Sequence, residues 1–217
     1  MPNNDSNLHI SSIIDRLSLG RLVPVIVLDD EKDAAPLAES LIEGGLPVAE
    51  VTMRTSAALD AMKQIAKYPE VLLGAGTVCT AEQVDQAVDA GARYIICPGF
   101  HEEVVQRCLE LEVVVIPGVI TPTDIAKAMS YGLEVVKFFP AEAFGGSKTL
   151  KAMAAPYGGM RFVPTGGINA QNVSSYLEIS SVAACGGSWM VDRKLIQAGK
   201  FDGITELVRD AVNLVNS

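Results

Sequence analysis

The sequence contains few of the residues that most metal centres and hydrolytic triads require. It has 217 residues, with only two histidines, His9 and His101, and four cysteines. The shortage of histidine argues against a histidine-rich metal site or a Ser-His-Asp triad, although a carboxylate-bound ion is compatible with it. The cysteines show no C-x-x-C spacing, which is typical of reduced thiols in a reducing compartment.

The chain also lacks long apolar runs and an excess of basic charge. No apolar stretch approaches the roughly 18 residues of a membrane-spanning helix, so we expect no membrane association. The polar residues 1–6 lack the pattern of a signal peptide, which predicts a cytoplasmic protein. A formal net charge of −9 without a basic stripe disfavours nucleic-acid binding. A small anionic substrate is compatible with this charge if local dipoles and a few arginines hold it.

What the chain does contain is an alternation of apolar, β-rich runs and amphipathic helical patterns. The strand patterns are apolar on both faces, as expected for parallel strands covered by helices. We therefore predict one α/β domain over residues 1–217, folded as a single (β/α)8 TIM barrel. The predicted strands are Val23–Leu28, Val48–Met53, Val71–Val78, Tyr94–Pro98, Val113–Val119, Val135–Phe139, Arg161–Pro164 and Val182–Ala184. The predicted helices between them are Ala34–Glu43, Ala57–Lys67, Ala81–Ala90, Glu102–Glu110, Thr123–Ser130, Lys148–Met153 and Ala170–Leu177.

Segments at the two ends of the chain complete this prediction. Leu8–Leu19 has helical spacing and predicts an extra N-terminal helix within residues 1–20 that closes the N-terminal face of the barrel. Gly203–Val215 predicts the last helix. The competing fold is an open, doubly wound sheet, but no G-x-G-x-x-G motif follows the first strand.

Lys137 is the residue that most directly suggests chemistry. It lies in the predicted strand Val135–Phe139, whose apolar neighbours indicate burial. Burial disfavours the charged form of an amine and lowers its pKa, and a neutral amine can attack a ketone to form an imine. Alternatively, this lysine pairs with a carboxylate or reaches water at the strand end.

The second predicted strand ends with polar residues on one face. Side chains alternate along a strand, so Glu50, Thr52 and Arg54 should share a face, with Val51 and Met53 on the other. A glutamate and an arginine in the mouth of a barrel are costly unless they are paired or used. One interpretation is a structural ion pair. The other is that Glu50 transfers protons while Arg54 binds a carboxylate.

Other predicted strand ends carry small and turn-forming residues. Active sites of (β/α)8 barrels form at the carboxyl ends of the strands, where Thr77 offers a hydroxyl and Pro98 a rigid turn. Phe139 shares a face with Lys137 and should line the same pocket. The glycine pairs 166–167 and 186–187 follow the last two predicted strands, and their backbone can approach a phosphate closely. Either pair alone is compatible with an ordinary turn, but together they predict a phosphate cradle.

Several of these segments form a recognisable combination. They are Glu50-Val51-Thr52-Met53-Arg54, Gly74-Ala75-Gly76-Thr77-Val78, Val136-Lys137-Phe138-Phe139-Pro140-Ala141-Glu142, Pro164-Thr165-Gly166-Gly167-Ile168 and Gly186-Gly187-Ser188-Trp189. In this order and spacing they closely resemble the family of 2-keto-3-deoxy-6-phosphogluconate (KDPG) aldolases and 4-hydroxy-2-oxoglutarate (KHG) aldolases. The resemblance extends from about Ile14 to the C-terminus. Cys97 and Cys79 depart from it, since relatives often have serine and leucine there.

This resemblance implies a class I aldolase that uses no metal or other cofactor and forms a homotrimer. Its substrate would be KDPG, cleaved to pyruvate and glyceraldehyde 3-phosphate, with KHG as a second substrate cleaved to pyruvate and glyoxylate. Lys137 would be the Schiff-base lysine and Glu50 the general acid and base. The implied substrate-binding residues are Arg54 and Thr77 for the carboxylate, Pro98 and Phe139 for the pocket wall, and Gly166, Gly167 and Ser188 for the phosphate. Thr165 and Gly187 complete the predicted substrate-binding set.

The sequence alone leaves three alternative functions open. The first is an aldolase for the C4 epimer, 2-keto-3-deoxy-6-phosphogalactonate. The second is a sugar-phosphate epimerase or isomerase, in which Glu50 moves protons and Lys137 neutralises an enediolate. The third is a non-catalytic sensor of phosphorylated sugars. Arg54 favours an aldolase, because a carboxylate clamp suits a 2-keto acid better than a neutral ketose.

Overall fold

A computed structural model describes residues 4–217, with side chains from Ser12 onward. The strands are β1 (Leu22–Ile26), β2 (Val48–Thr52), β3 (Leu72–Gly76), β4 (Tyr94–Ile96), β5 (Val114–Ile116), β6 (Gly118–Val119), β7 (Val135–Phe138), β8 (Arg161–Phe162) and β9 (Cys185–Gly187). The helices are α1 (Asn4–Gly20), α2 (Ala34–Glu43), α3 (Ala58–Ile65), α4 (Ala81–Asp89), α5 (Glu102–Glu110), α6 (Pro122–Ser130), α7 (Gly146–Ala154), α8 (Val173–Leu177), α9 (Arg193–Gln197) and α10 (Phe201–Asn216). Helix α1 occupies the predicted N-terminal segment, of which residues 1–3 and the side chain of His9 lie outside the described part.

The described strands pair in parallel, in two sheets. One sheet has the order β5-β4-β3-β2-β1-β9, and the other has the order β6-β7-β8. Isolated parallel bridges, Phe162 to Val182 and Thr165 to Gly186, connect the segment around β8 with the segment around β9. The protein therefore has an α/β fold built on parallel strands, which is consistent with the predicted barrel class.

Burial on both faces of the strands explains why their sequences are almost continuously apolar. Every residue of β2, β3 and β7 is buried, including Glu50 and Lys137.

The surrounding helices begin at residues that favour the first position of a helix. Thr121 and Asp124 form a capping box at the start of α6, and Thr80 caps α4. Among the described helices, we find none that is both long and apolar enough to cross a bilayer.

The structure corrects several predicted boundaries. The predicted strand Val113–Val119 is interrupted at Pro117, which has no N–H group for a strand ladder. The predicted strand Val182–Ala184 is displaced, because the residues that pair with β1 are Cys185–Gly187 and Val182 makes only a single bridge. The glycines of β9 have low strand propensity, so the apolar pattern alone misplaced it. The predicted helix Ala170–Leu177 begins only at Val173.

Strand register brings the carboxyl ends of distant segments together. Glu50 is in register with Gly74 on β3 and with Val25 on β1. On the second sheet, Gly118 is in register with Lys137. The ends of β2, β3 and β7, where the sequence predicted functional side chains, therefore face one end of the parallel sheets.

Candidate active site

Lys137 and Glu50 form a buried ion pair between the two sheets. Lys137 is 4% exposed and Glu50 is 1% exposed. Lys137 Nζ lies 3.3 Å from Glu50 Oε1. Glu50 Oε2 is also buried and has no hydrogen-bond partner among the described residues. A buried amine and a carboxylate with an unused oxygen therefore lie within proton-transfer distance of each other.

Gly76 leaves the space that Glu50 occupies. A Cβ added at Gly76 would lie 2.2 Å from Glu50 Oε1 and 2.7 Å from Cγ. Any side chain at position 76 would thus push the carboxylate away from its present place. Thr52, two residues after Glu50, is not directed at the amine, because its hydroxyl donates to the carbonyl of Ile26 at 2.8 Å.

Phe139 and Pro98 lie next to the lysine. The ammonium nitrogen of Lys137 is 5.2 Å from the centroid of the Phe139 ring, within cation–π range. Pro98 approaches from β4: a Cβ added at Gly118, the register partner of Lys137, would lie 2.2 Å from the Pro98 carbonyl oxygen. Both residues are partly buried, and their role as a pocket wall stays a prediction.

Arg54 pairs with Thr77 and not with Glu50. Arg54 Nε donates to Thr77 Oγ1 at 3.0 Å, and the arginine is exposed just beyond the end of β2. Within the described residues Arg54 forms no ion pair, so the interpretation of a structural Glu50–Arg54 pair is not supported. Thr77 has φ of +59°, which is unusual for a β-branched residue and marks local strain. This strained turn presents a hydroxyl and a guanidinium side by side.

The predicted phosphate cradle consists of two neighbouring loops with free backbone donors. The parallel bridge between Thr165 and Gly186 places the loop after β8 beside β9. Gly166 and Gly167 have φ of +103° and +79°, which glycine adopts readily. Within the described residues, the N–H groups of Gly166, Gly167 and Ser188 donate to no protein acceptor. Such a cluster of exposed N–H groups can bind an anion.

The residues of the predicted cradle lie on these loops and not at the start of a helix. Helix α8 begins at Val173, several residues after the glycine pair. In between, the carbonyl of Gly167 accepts hydrogen bonds from the side-chain amides of Asn172 at 3.1 Å and Asn169 at 3.3 Å. Those bonds turn the carbonyl toward the asparagines. On the other loop, Gly187 is packed against Trp189, since a Cβ there would lie 1.9 Å from its indole ring.

Comparison with known proteins identifies the family. Residues 13–207 match the aldolase family described as KDPG and KHG aldolase. The chain belongs to this family. A 2-dehydro-3-deoxy-phosphogluconate aldolase of Haemophilus influenzae is 45% identical over 204 residues, which cover 94% of this chain and 96% of the relative. Since members of the family are aldolases, the protein is an enzyme of the lyase class.

Solved structures of the KDPG aldolase family agree with this assignment. A KDPG aldolase from Legionella pneumophila, captured with pyruvate at low pH as a covalent carbinolamine intermediate, has a TM-score of 0.87 and 39% identity, covering 93% of this chain and 97% of that one. The KDPG aldolase of Zymomonas mobilis ZM4 with 3-phosphoglycerate has a TM-score of 0.86 and 40% identity, covering 94% of each chain.

The two cysteines that depart from the aldolase family pattern have thiols whose pKa is raised by burial. Cys97 is buried beside Pro98, and burial raises the pKa of its thiol, so the thiol remains protonated. Burial also raises the pKa of Cys79. Among the described residues, no group of three or more His, Cys, Asp or Glu side chains is arranged to hold a metal ion.

Sequence reasoning missed two contributors to the site. Gly76 belonged to a recognised segment without a role of its own, whereas the structure shows that it accommodates the Glu50 side chain. Glu142 belonged to a recognised motif without a role, yet it packs against Gly167 and is bonded to Tyr176. No signal in one sequence relates Glu142 to Tyr176, because the two residues are 34 positions apart.

Proposed function

We propose that this protein is a class I aldolase that cleaves KDPG to pyruvate and glyceraldehyde 3-phosphate through an imine on Lys137. The observation that carries this proposal is the buried Lys137 amine, 3.3 Å from the Glu50 carboxylate. A lysine nucleophile needs to lose a proton before it attacks a carbonyl carbon, and a neighbouring carboxylate can accept it. The trapped carbinolamine of the Legionella relative supports the same chemistry for this chain.

The proposed reaction proceeds in balanced steps. Lys137 gives a proton to Glu50, and the free amine adds to the C2 ketone to form a carbinolamine. Glu50 returns that proton to the carbinolamine hydroxyl, which leaves as water, so that a protonated imine and an ionised Glu50 remain. Glu50 then accepts the proton of the C4 hydroxyl, the C3–C4 bond breaks, and its electron pair moves into the imine to form an enamine. Glu50 returns the proton to C3, and hydrolysis releases pyruvate and free Lys137. One positioned carboxylate contributes about 10²–10⁴ to the rate of such proton transfers.

The remaining predicted residues are proposed to hold the two ends of the substrate. Arg54 and Thr77 are proposed to bind the C1 carboxylate. Arg54 Nε and Thr77 Oγ1 are only 3.0 Å apart, and the guanidinium of Arg54 forms no ion pair within the described residues. Pro98 and Phe139 are proposed to enclose the reacting carbons. The proposed phosphate donors are the N–H groups of Gly166, Gly167 and Ser188, with Thr165 and Gly187 beside them. Thr165 itself donates through its N–H to the Phe138 carbonyl at 2.9 Å and through its hydroxyl to the Val163 carbonyl at 3.5 Å.

Reductive trapping tests the imine directly. Incubation with pyruvate and borohydride should add one reduced pyruvate to the protein, and peptide mass spectrometry should locate it on Lys137. Lys137→Met should give no adduct, whereas replacement of the exposed Lys151 by methionine should leave trapping unchanged. An unmodified wild-type protein, or an adduct on another lysine, would contradict the proposal.

Substrate assays separate the proposed activity from its competitors. Only an aldolase releases pyruvate from KDPG, an epimerase or isomerase gives an isomeric product, and a sensor gives no product. KHG is proposed as a poorer substrate, because it has no phosphate to bind the cradle, and equal kcat/KM values for KHG and KDPG would contradict this. Comparison of KDPG with its C4 epimer determines whether the phosphogalactonate compound is the preferred substrate.

The wider organisation of the molecule is part of the same proposal. We propose that both sheets close into one (β/α)8 barrel over residues 1–217, supported by the pairing of β9 with β1 and the bridges next to β8. Helix α1 is proposed as the extra helix that closes the N-terminal end, since Ile13, Ile14 and Leu17 are buried in the core. A homotrimer in the cytoplasm stays a prediction, and light scattering should give three times the mass of one chain.

A further inference from the structure

The loop that carries Gly166 and Gly167 is held from one side by Glu142. The main-chain N–H of Glu142 donates to the Gly166 carbonyl at 3.0 Å, and that of Ala141 donates to the Thr165 carbonyl at 2.8 Å. The carbonyl groups of Thr165 and Gly166 are therefore bound to the segment that follows β7. Within the described residues, the N–H groups of Gly166 and Gly167 donate to no protein acceptor and so are available to a ligand.

The side chain of Glu142 adds a second contact to the same loop. A Cβ added at Gly167 would lie 2.7 Å from both Cβ and Cγ of Glu142. The methylene stem of Glu142 thus covers the side of Gly167 on which a side chain would stand. One carboxylate oxygen of Glu142 also lies close to Gly146, at the start of α7, where an added Cβ would be 3.0 Å away.

Tyr176 fixes the orientation of this side chain. Its hydroxyl donates to Glu142 Oε1, and the tyrosine itself is fully buried in α8. Burial, followed by the bond to the carboxylate, raises the pKa of Tyr176 well above its ordinary value, so the hydroxyl stays protonated and continues to donate at neutral pH. A hydrogen bond to an ionised acceptor is about twice as strong as a neutral one.

Resting on the function proposed above, we infer that Glu142 and Tyr176 are positioning residues for the phosphate of the substrate. They act through the loop: Tyr176 orients Glu142, and Glu142 holds Gly166 and Gly167 with their N–H groups available. Their effect therefore concerns the phosphorylated end of the substrate and not the pyruvate end. Loss of the pair should weaken binding of phosphorylated ligands selectively.

Kinetic comparison of the variants Tyr176→Phe and Tyr68→Phe tests this inference. Tyr68 makes the same type of bond, to Glu39 Oε1 at 3.0 Å, at the amino end of β3 and away from the carboxyl ends of the strands, so it is a matched control. For Tyr176→Phe we expect KM for KDPG to rise about tenfold with little change in kcat, the size expected for one charge-assisted hydrogen bond. The pyruvate concentration that gives half-maximal borohydride trapping should change less than twofold, and Tyr68→Phe should change neither quantity.

Variants of Glu142 give an independent test if Tyr176→Phe folds poorly. Glu142→Gln keeps both the stem and an acceptor oxygen and should remain within about threefold of the wild type, whereas Glu142→Ala should reproduce the tenfold rise in KM. An unchanged KM in Glu142→Ala, or an equal loss of KDPG and pyruvate binding, would overturn the inference. If the wild type releases no pyruvate from KDPG, the proposed function itself fails, which is a different result.

Discussion

Replacement of Gly76 by alanine tests whether the Glu50 carboxylate needs its present position. The added Cβ would lie 2.2 Å from Oε1, 2.7 Å from Cγ and 2.8 Å from Cδ of Glu50, whereas ordinary contacts begin at 3.4 Å. The carboxylate must therefore move by roughly 1 Å. Gly76 has an ordinary φ, so the backbone itself accepts alanine and the perturbation acts on Glu50.

The size of the effect follows from this displacement. A misplacement of about 1 Å can reduce the rate by about 10²-fold, so we expect kcat/KM for KDPG to fall by about two orders of magnitude. Glu50 is 1% exposed, so the displaced carboxylate moves within the protein interior. The overpacking should lower the free energy of unfolding by about 1–3 kcal/mol, which corresponds to a Tm decrease of roughly 2–12 °C.

Pyruvate release coupled to lactate dehydrogenase measures the activity, and scanning calorimetry measures Tm. Gly158→Ala is the matched control, because a Cβ there meets nothing within 4 Å and Gly158 has an ordinary φ. This control should keep wild-type activity and Tm. Wild-type kcat/KM in Gly76→Ala would refute the argument, since it would mean that proton transfer does not depend on where the Glu50 carboxylate lies.

Three further predictions concern charged groups. Lys137→Met leaves Glu50 buried without a partner and should lower the free energy of unfolding, measured in urea, by about 3–5 kcal/mol. Adding Glu50→Gln should restore part of this loss, and equal stability of the wild type, the single variant and the double variant would contradict the argument. Arg54→Lys should raise the pyruvate concentration for half-maximal borohydride trapping about tenfold, because lysine cannot form two parallel bonds to a carboxylate. An unchanged concentration would show that Arg54 does not bind the pyruvate carboxylate in this way. Asp124→Ala should lower the stability by about 1 kcal/mol at pH 7 through loss of the α6 cap. Partial burial raises the pKa of Asp124, but hydrogen bonds from the backbone and from Thr121 together hold this pKa below its ordinary value of 3.8. The cap therefore needs the ionised carboxylate, and the difference in Tm between the wild type and Asp124→Ala should shrink as the pH falls below 3.8. A difference that grows at low pH would contradict this.

The alternation of apolar strands and amphipathic helices was predictable, because burial of a parallel strand on both faces produces a distinctive pattern. The residues at which the individual strands and helices begin and end were harder to predict. Pro117 divides the fifth predicted strand, and the glycines of β9 pair with β1 although their sequence has little strand propensity. Helix α9, Arg193–Gln197, was not predicted, since one short turn of helix carries almost no periodic signal.

The residues of the candidate site were named from the sequence, but the contacts between them were not. The period of two that places Glu50 and Arg54 on one face holds only while the strand continues, and β2 ends at Thr52. Arg54 lies beyond that end and bonds to Thr77. Conversely, the contact between Glu50 and Lys137 joins residues 87 positions apart on different sheets, which no local pattern encodes.

The Lys137–Glu50 pair also explains how a costly buried charge persists through the proposed reaction. Removing one member of a buried ion pair leaves the other uncompensated, which costs several kcal/mol. The protonated imine keeps a positive charge on the same nitrogen, so Glu50 faces a cation both before and after the lysine reacts. When Glu50 accepts the C4 proton, bond cleavage turns the imine into a neutral enamine, and both charges disappear together. The buried site therefore never has to hold an isolated charge at any step in which the substrate is covalently bound.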